Sequence, residues 1–182
     1  MRKLKFHEQK LLKKHNFFNY QGEHNLHEIE VIRRYRLRNR EEYVKYNHLA
    51  GEITSFVNFL KQMESNDPMR VRYTQFLLDK LWEMGLISAK TSLVSCEKLG
   101  PAAFARRRLA TVLVTQKFSP NLQKATEMIE QGHIRVGPNV ITDPAFLVNR
   151  ALIDHVHFTE DSKYLRHIKV YKDEVDDFVL LN

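Results

Sequence analysis

Cysteine, glycine and long apolar runs are all scarce in this sequence of 182 residues. Cys96 is the single cysteine, which excludes an intramolecular disulfide and any zinc site built on several thiolates. None of the six glycines belongs to a phosphate-cradling loop or a G-x-S-x-G nucleophile elbow. No apolar run approaches the roughly 20 residues of a membrane span, and the first residues lack the apolar stretch of a signal peptide. We therefore expect a soluble protein of a reducing intracellular compartment.

The residues that are present are those of a folded, basic protein. Apolar residues make up 43% and charged residues 28%, and the formal net charge is +7. Such a charge is typical of proteins that bind polyanions, although a basic protein without an anionic partner is the alternative. Nine histidines occur, but their spacing forms no cluster with thiolates or acids, and His155 and His157 at most share one strand face. We expect no metal and no cofactor.

Two basic regions precede the first long apolar helix. The first segment, residues 1–14, has a single acid, Glu8. We expect this segment to be a basic arm that contacts RNA or a partner, with a frayed, solvated terminus as the alternative. Its basic residues are Arg2, Lys3, Lys5, Lys10, Lys13 and Lys14. The second region is an arginine run whose planar guanidiniums suit phosphate and base stacking. It consists of Arg33, Arg34, Arg36, Arg38 and Arg40. Intramolecular pairing is the alternative for this run, with Glu28, Glu30, Glu41 and Glu42 as the available acids.

A helical body follows the arginine run. Apolar residues recur at helical spacing between Glu41 and Glu64, which predicts a helix with one buried face. Asp67 and Pro68 have the residue types of a helix N-cap and first turn, and predict a second helix that ends at Gly85. Its expected inward residues are Tyr73, Phe76, Leu77, Leu81 and Met84. Trp82 is expected to pack within this body rather than to stack on a base.

A helical hairpin and a small sheet are predicted next. One helix should begin at Pro101 and turn Arg106, Arg107 and Arg108 outward, because each desolvated guanidinium would need a partner and no acid lies within four residues. Ser119 and Pro120 predict the start of a second helix that ends at Gly132. Alternating polar and apolar residues then predict strands at 133–136, 140–141 and 155–158.

This order resembles the αL-type RNA-binding module of the ribosomal protein S4 family. The matching segments are 106–109, 125–136 and 143–148. The resemblance implies that the hairpin lies against RNA backbone, with phosphate contacts from Arg106, Arg107, Arg108, Lys117, Lys124, His133 and Arg135. Enzymes with this module add a separate catalytic domain, for which this chain has no room, so we expect no enzymatic activity.

Further segments make the whole chain look like the S4-related protein family of the U3 small nucleolar ribonucleoprotein. These segments are 2–14, 35–43, 78–85, 132–139 and the acidic tail at 173–178. The resemblance implies a factor of the nucleus and nucleolus that binds U3 snoRNA and promotes its pairing with pre-rRNA, in the 5′ external spacer and the 18S region. It also implies association with the M-phase phosphoprotein scaffold of the small-subunit processome. A structural small-subunit protein of the S4 family and a pure protein adaptor are the alternatives.

The predicted fold class is α+β and mainly helical, with an N-terminal helical body followed by an S4-type RNA-binding module. We expect a basic arm at 1–25, a helical domain at 26–98 and the RNA-binding domain at 99–160. A C-terminal helix and an acidic tail should occupy 161–182, and we expect this tail to dock on protein rather than on RNA.

Overall fold

The computed structural model describes residues 2–14, 22–64 and 66–172. The side chain of Lys13 and the acidic tail at 173–178 lie outside the described residues. The described residues form ten helices and one three-stranded sheet, which confirms the predicted α+β, mainly helical class. The helices are α1 (Phe6–Lys14), α2 (Gly22–Tyr35), α3 (Arg40–Gln62), α4 (Pro68–Glu83), α5 (Val94–Glu97), α6 (Pro101–Ala105), α7 (Leu109–Thr115), α8 (Leu122–Glu130), α9 (Arg150–Ile153) and α10 (Lys163–Tyr171). The strands are β1 (Ile134–Val136), β2 (Asn139–Val140) and β3 (Val156–Phe158).

The N-terminal body is built on α3 and α4. The Asp67 carboxylate caps α4 by accepting a hydrogen bond from the Met69 amide, and Pro68 occupies the first turn, as predicted. Helix α4 buries Leu78 and Leu81 in the core that it shares with α3 and α5. The expectation that Tyr73 and Phe76 point inward is wrong. Phe76 is 70% exposed, because among the described residues no element covers that side of α4.

A second core joins α2 and α3 to α6. Tyr35 and Tyr46 are buried there together with Phe104 and Ala105, and the rings of Tyr46 and Phe104 stack with their centroids 5.7 Å apart. Helix α6 thus packs against the N-terminal body although it falls in the segment predicted for the RNA-binding domain. The boundary between residues 98 and 99 stays a prediction.

The single helix predicted from Pro101 is wrong. The chain leaves the helical path at Arg106–Arg108, and two short helices, α6 and α7, result. Here the backbone bonds to a distant segment: the Leu109 amide donates to the Phe146 carbonyl and the Val148 amide to the Arg107 carbonyl, both at 2.8 Å. These bonds replace helical ones, so the break costs no buried hydrogen bond.

Helices α7 and α8 form the predicted hairpin and cover the sheet, whose strand order is β2-β1-β3 with antiparallel pairing. Leu113, Ile129, Ile134, Val148 and Val156 are fully buried in their common core or nearly so. The cap of α8 is the Asn121 side chain, which accepts from the Lys124 amide at 3.0 Å; the prediction had placed it at Ser119. On β3, Val156 is buried and His157 is exposed, so the two side chains lie on opposite faces of the strand. No described helix is both long and apolar enough to cross a membrane.

Candidate RNA-binding surface

Arg108 lies at the junction between the N-terminal body and the hairpin. Its side chain is 3% exposed, and its Nη1 donates to the Glu42 carboxylate at 2.6 Å and to the Tyr46 hydroxyl at 3.2 Å. The expectation that this arginine turns outward is therefore wrong. The acid that pairs with it comes from α3, far away in sequence, so a search within four residues along the chain could not find it.

Arg107 is half-buried at the same junction. Its Nε and Nη2 both donate to the Val148 carbonyl, at 3.0 and 2.5 Å. Burial lowers the pKa of its guanidinium from the usual value, and the nearby charge of Arg150 adds to this effect. The guanidinium also lies against Gly85, where a Cβ would stand 2.7 Å from its Cζ. Arg107 thus contacts both parts of the chain: Val148 of the hairpin-sheet core and Gly85 of the N-terminal body.

Arg150 is a further residue of the junction, and the sequence did not reveal it. Its guanidinium lies over the Trp82 ring, 4.8 Å from the centroid, and its Nη2 donates to the Ile87 carbonyl at 2.6 Å. Lys90 lies 4.4 Å from the same ring centroid. Trp82 therefore packs within the protein, as predicted, but it does so as a platform for cations. No local sequence signal links Arg150 to a ring on α4.

Arg106, Lys117 and Lys124 are the members of the predicted set whose side chains are exposed on the helical hairpin and the turn before it. Lys117 ends α7 with a φ of +63°, in the left-handed region that usually favours glycine. This conformation costs a non-glycine residue roughly 1–2 kcal/mol.

His133 and Arg135 are less exposed than the hairpin lysines. The His133 ring meets the Tyr164 ring edge-on, with centroids 5.2 Å apart. Arg135 lies on β1 with its Nη1 3.7 Å from the Glu160 carboxylate. Its Nε is buried and has no hydrogen-bond partner among the described residues. Both residues lie beside the start of α10 rather than on the open face of the hairpin.

The two basic regions before α3 remain largely exposed. Arg33, Arg34, Arg36 and Arg38 are exposed, whereas Arg40 pairs with Glu28 at 2.5 Å. Intramolecular pairing, the alternative for this run, is therefore confirmed for Arg40. In the arm, Arg2 pairs with Glu8 at 2.6 Å, and Phe6–Lys14 form α1. The exposed lysines of the arm are Lys3, Lys5, Lys10 and Lys14.

A groove of about 320 Å³ separates the turn after α2 from α8. Arg36 and Arg38 line one side, and Gln123, Glu127 and Glu130 line the other. The groove therefore offers hydrogen-bond donors on one wall and mainly acceptors on the other, the groups that bind the edges of unpaired bases.

Metal and thiol chemistry find little support in the described residues. No group of three or more histidine, cysteine, aspartate or glutamate side chains there could hold a metal ion. Cys96 is fully buried in the α3–α4–α5 core, and burial raises the pKa of its thiol. Its side chain acts as a small apolar residue of that core.

Family models match the two halves of the chain separately. Residues 3–99 match the ribosomal protein S4/S9 N-terminal domain, and residues 107–152 match the S4 domain. The second match covers the hairpin and most of the sheet. The prediction of an S4-type module is confirmed, and the N-terminal match shows that the helical body belongs to the same family.

Similarity to individual proteins covers nearly the whole chain. It is 49% identical to the mouse U3 small nucleolar ribonucleoprotein protein IMP3 over 99% of this chain and 98% of that protein, and 41% identical to the Saccharomyces cerevisiae protein of the same name over 98% of both. Identity to the small ribosomal subunit protein uS4 of Picrophilus torridus is 25% over 75% of each chain. The chain therefore belongs to the family of the U3 small nucleolar ribonucleoprotein protein IMP3, RNA-binding factors of ribosome assembly that carry an S4 domain.

Proposed function

We propose that this protein binds U3 snoRNA directly and promotes its pairing with pre-rRNA during 18S rRNA processing, in the nucleolus and without catalysing a reaction. The observation that carries the proposal is full-length similarity to proteins named as components of the U3 ribonucleoprotein, together with an S4 domain in the expected place. The pre-rRNA partners are the 5′ external spacer and the 18S region.

The exposed cations would supply the affinity for RNA. Arg106, Lys117 and Lys124 face solvent from the hairpin and the turn before it. Arg108 pairs with Glu42 of the N-terminal body, and Arg107 lies against Gly85 of that body. Contacts to phosphate set affinity and register without reading sequence, and RNA shape supplies selectivity. The rigid junction would thus hold the hairpin at a constant position relative to the arginine run.

Two separate basic regions give a physical route to strand pairing. If the hairpin holds one RNA while the arm at residues 2–14 contacts a second, the two strands are concentrated and their mutual repulsion is screened. The annealing rate of a U3 snoRNA transcript with a pre-rRNA fragment should therefore fall when residues 1–14 are removed. Undiminished annealing would contradict the two-region mechanism and leave the binding proposal intact.

The M-phase phosphoprotein scaffold is the proposed protein partner. Support comes from exposed aromatic residues on α3 and α4, where Phe59 and Phe76 are 57% and 70% exposed. Exposed apolar patches on folded proteins are typical of protein–protein contacts. Replacing both residues with serine should weaken binding to the scaffold and leave RNA affinity unchanged.

Sequencing of the RNA crosslinked to this chain in cells tests the proposal most directly. U3 snoRNA and pre-rRNA should dominate. Mature ribosomal RNA alone would favour the structural ribosomal protein, and no RNA above background would favour the protein adaptor; either result would overturn the proposal.

In vitro, the combined Arg106→Gln, Lys117→Gln and Lys124→Gln changes should reduce the slope of log K against log salt by about 2–3.

A further inference from the structure

Helix α10 presents a row of cations outside the set predicted to contact RNA. Lys163, Arg166 and Lys169 recur every third residue, so their side chains fall within an arc of about 120° on the helix surface. Tyr164, Leu165 and Ile168 lie on the remaining surface, and Tyr164 and Leu165 are half-buried. The helix therefore packs on the protein through Tyr164 and Leu165, and its cationic side is exposed to solvent.

The base of α10 is fixed to the RNA-binding module. The Tyr164 ring lies against the rings of His133 and Phe158, with centroid distances of 5.2 and 6.3 Å. The Thr159 amide donates to the His133 carbonyl at 3.0 Å, and Ser162 at the helix start is fully buried. These contacts hold the start of the cationic row beside His133, at the end of α8.

The three cations have no side-chain ion pair or hydrogen bond to any residue that the structure describes. Other exposed cations do form such pairs: Lys61 pairs with Glu97, and Lys90 with Asp79. Of the two acids just before α10, Glu160 lies 3.7 Å from Arg135 on the sheet, and Asp161 is exposed and forms no ion pair with the row. Among the described residues, no ion pair therefore neutralises the charge of the row.

We propose that Lys163, Arg166 and Lys169 form a second RNA-contact surface, which binds the phosphates of a strand that continues past His133 from the helical hairpin. The inference rests on the proposed RNA binding by the module. Lysine is depleted at protein interfaces, and this row has no aromatic anchor among its cations, whereas Lys and Arg are the usual contacts to RNA backbone. These features favour RNA over an acidic protein as the occupant.

The test compares two triple variants of the full chain that change net charge equally. One carries Lys163→Gln, Arg166→Gln and Lys169→Gln. The control carries Lys45→Gln, Arg72→Gln and Lys80→Gln, three exposed cations of α3 and α4. Binding of a U3 snoRNA transcript and of poly(U) is measured by fluorescence anisotropy between about 50 and 300 mM salt. The α10 variant should lose about 2–3 units of log–log slope for both RNAs, and the control less than about one.

Equal slopes for the two triple variants would overturn the proposal, because net charge alone would then explain the loss. An unchanged RNA slope with lost binding to polyglutamate would also overturn it and assign the row to an acidic protein. A conservative variant, Lys163→Arg with Lys169→Arg, should retain the wild-type slope. If the wild-type chain binds the U3 transcript no better than a control RNA of equal length, the proposed function fails, while the poly(U) comparison still tests the row.

Discussion

Two groups of three basic residues in this chain have opposite environments. Of Arg106, Arg107 and Arg108, two are occupied by protein: Arg108 by Glu42 and Tyr46, and Arg107 by the Val148 carbonyl. The row of Lys163, Arg166 and Lys169 on α10 is exposed and has no side-chain partner among the described residues. The arginine triplet is denser in sequence than the α10 row, yet it has fewer exposed side chains. Local density of basic residues does not by itself identify an RNA contact.

The difference follows from the cost of removing a charge from water. A guanidinium can be buried only where fixed acceptors meet its planar donors, and the junction supplies a carboxylate, a hydroxyl and a carbonyl. On α10 the row is exposed, and none of the residues that the structure describes offers it a side-chain acceptor. The junction group therefore contributes to stability and the α10 group to binding, and each of the following changes tests this division.

The largest effect is expected at Arg108. Arg108→Ala leaves Glu42 and Tyr46 without their shared donor, and breaking a fully buried pair costs roughly 3–5 kcal/mol. Because Glu42 keeps contact with water, we expect a loss of about 3 kcal/mol in the free energy of unfolding, measured by urea denaturation. The salt dependence of RNA binding by the folded fraction should stay unchanged.

A double-mutant cycle with Glu42→Gln separates the pair from the packing of the arginine stem. The two changes should be clearly non-additive, because they remove the same contact. Additive losses of stability would contradict a stabilising pair between Arg108 and Glu42. A shallower salt dependence of RNA binding in the folded Arg108→Ala variant would show that Arg108 contacts RNA.

A smaller effect is expected at Gly85, with Gly137 as its matched control. Both have a positive φ, +75° and +61°, but an added Cβ would collide with the Arg107 guanidinium only at Gly85 and would meet nothing within 4 Å at Gly137. Backbone strain should cost each alanine variant about 1 kcal/mol. Gly85→Ala should lose about 1 kcal/mol more, because Arg107 must leave the Val148 carbonyl. Equal melting temperatures for the two variants would contradict a stabilising role for Arg107.

The smallest effect on stability is expected at Lys117, and its sign is opposite. Lys117→Gly removes the strain of a φ of +63° at the end of α7, less the entropy that glycine loses on folding. We expect a gain of about 0.5 kcal/mol in the free energy of unfolding together with a loss of about one unit in the salt slope of RNA binding. A gain in stability with unchanged RNA binding would remove Lys117 from the RNA surface.

Local sequence patterns were sufficient to predict the helices and strands that depend on residues close together in sequence. The helical periodicity predicted α3, Asp67 and Pro68 predicted the start of α4, and alternation at 133–136 predicted β1. The S4-type module was also predictable, because its residues follow one another along the chain. The cap of α8 was misplaced by two residues, since Ser119 and Asn121 both have the side chains of a cap.

The family, the mainly helical class and the positions of the basic regions follow from the amino-acid sequence alone, because they depend on residue order and local periodicity. Which of the described cations are buried in ion pairs depends on tertiary contacts. The break between α6 and α7 exists because residues 107–109 bond to residues 146–148, and Arg108 is buried because α3 brings Glu42 to it. Partners so distant along the chain leave no local pattern, yet they decide whether a charge stabilises the fold or remains available to RNA.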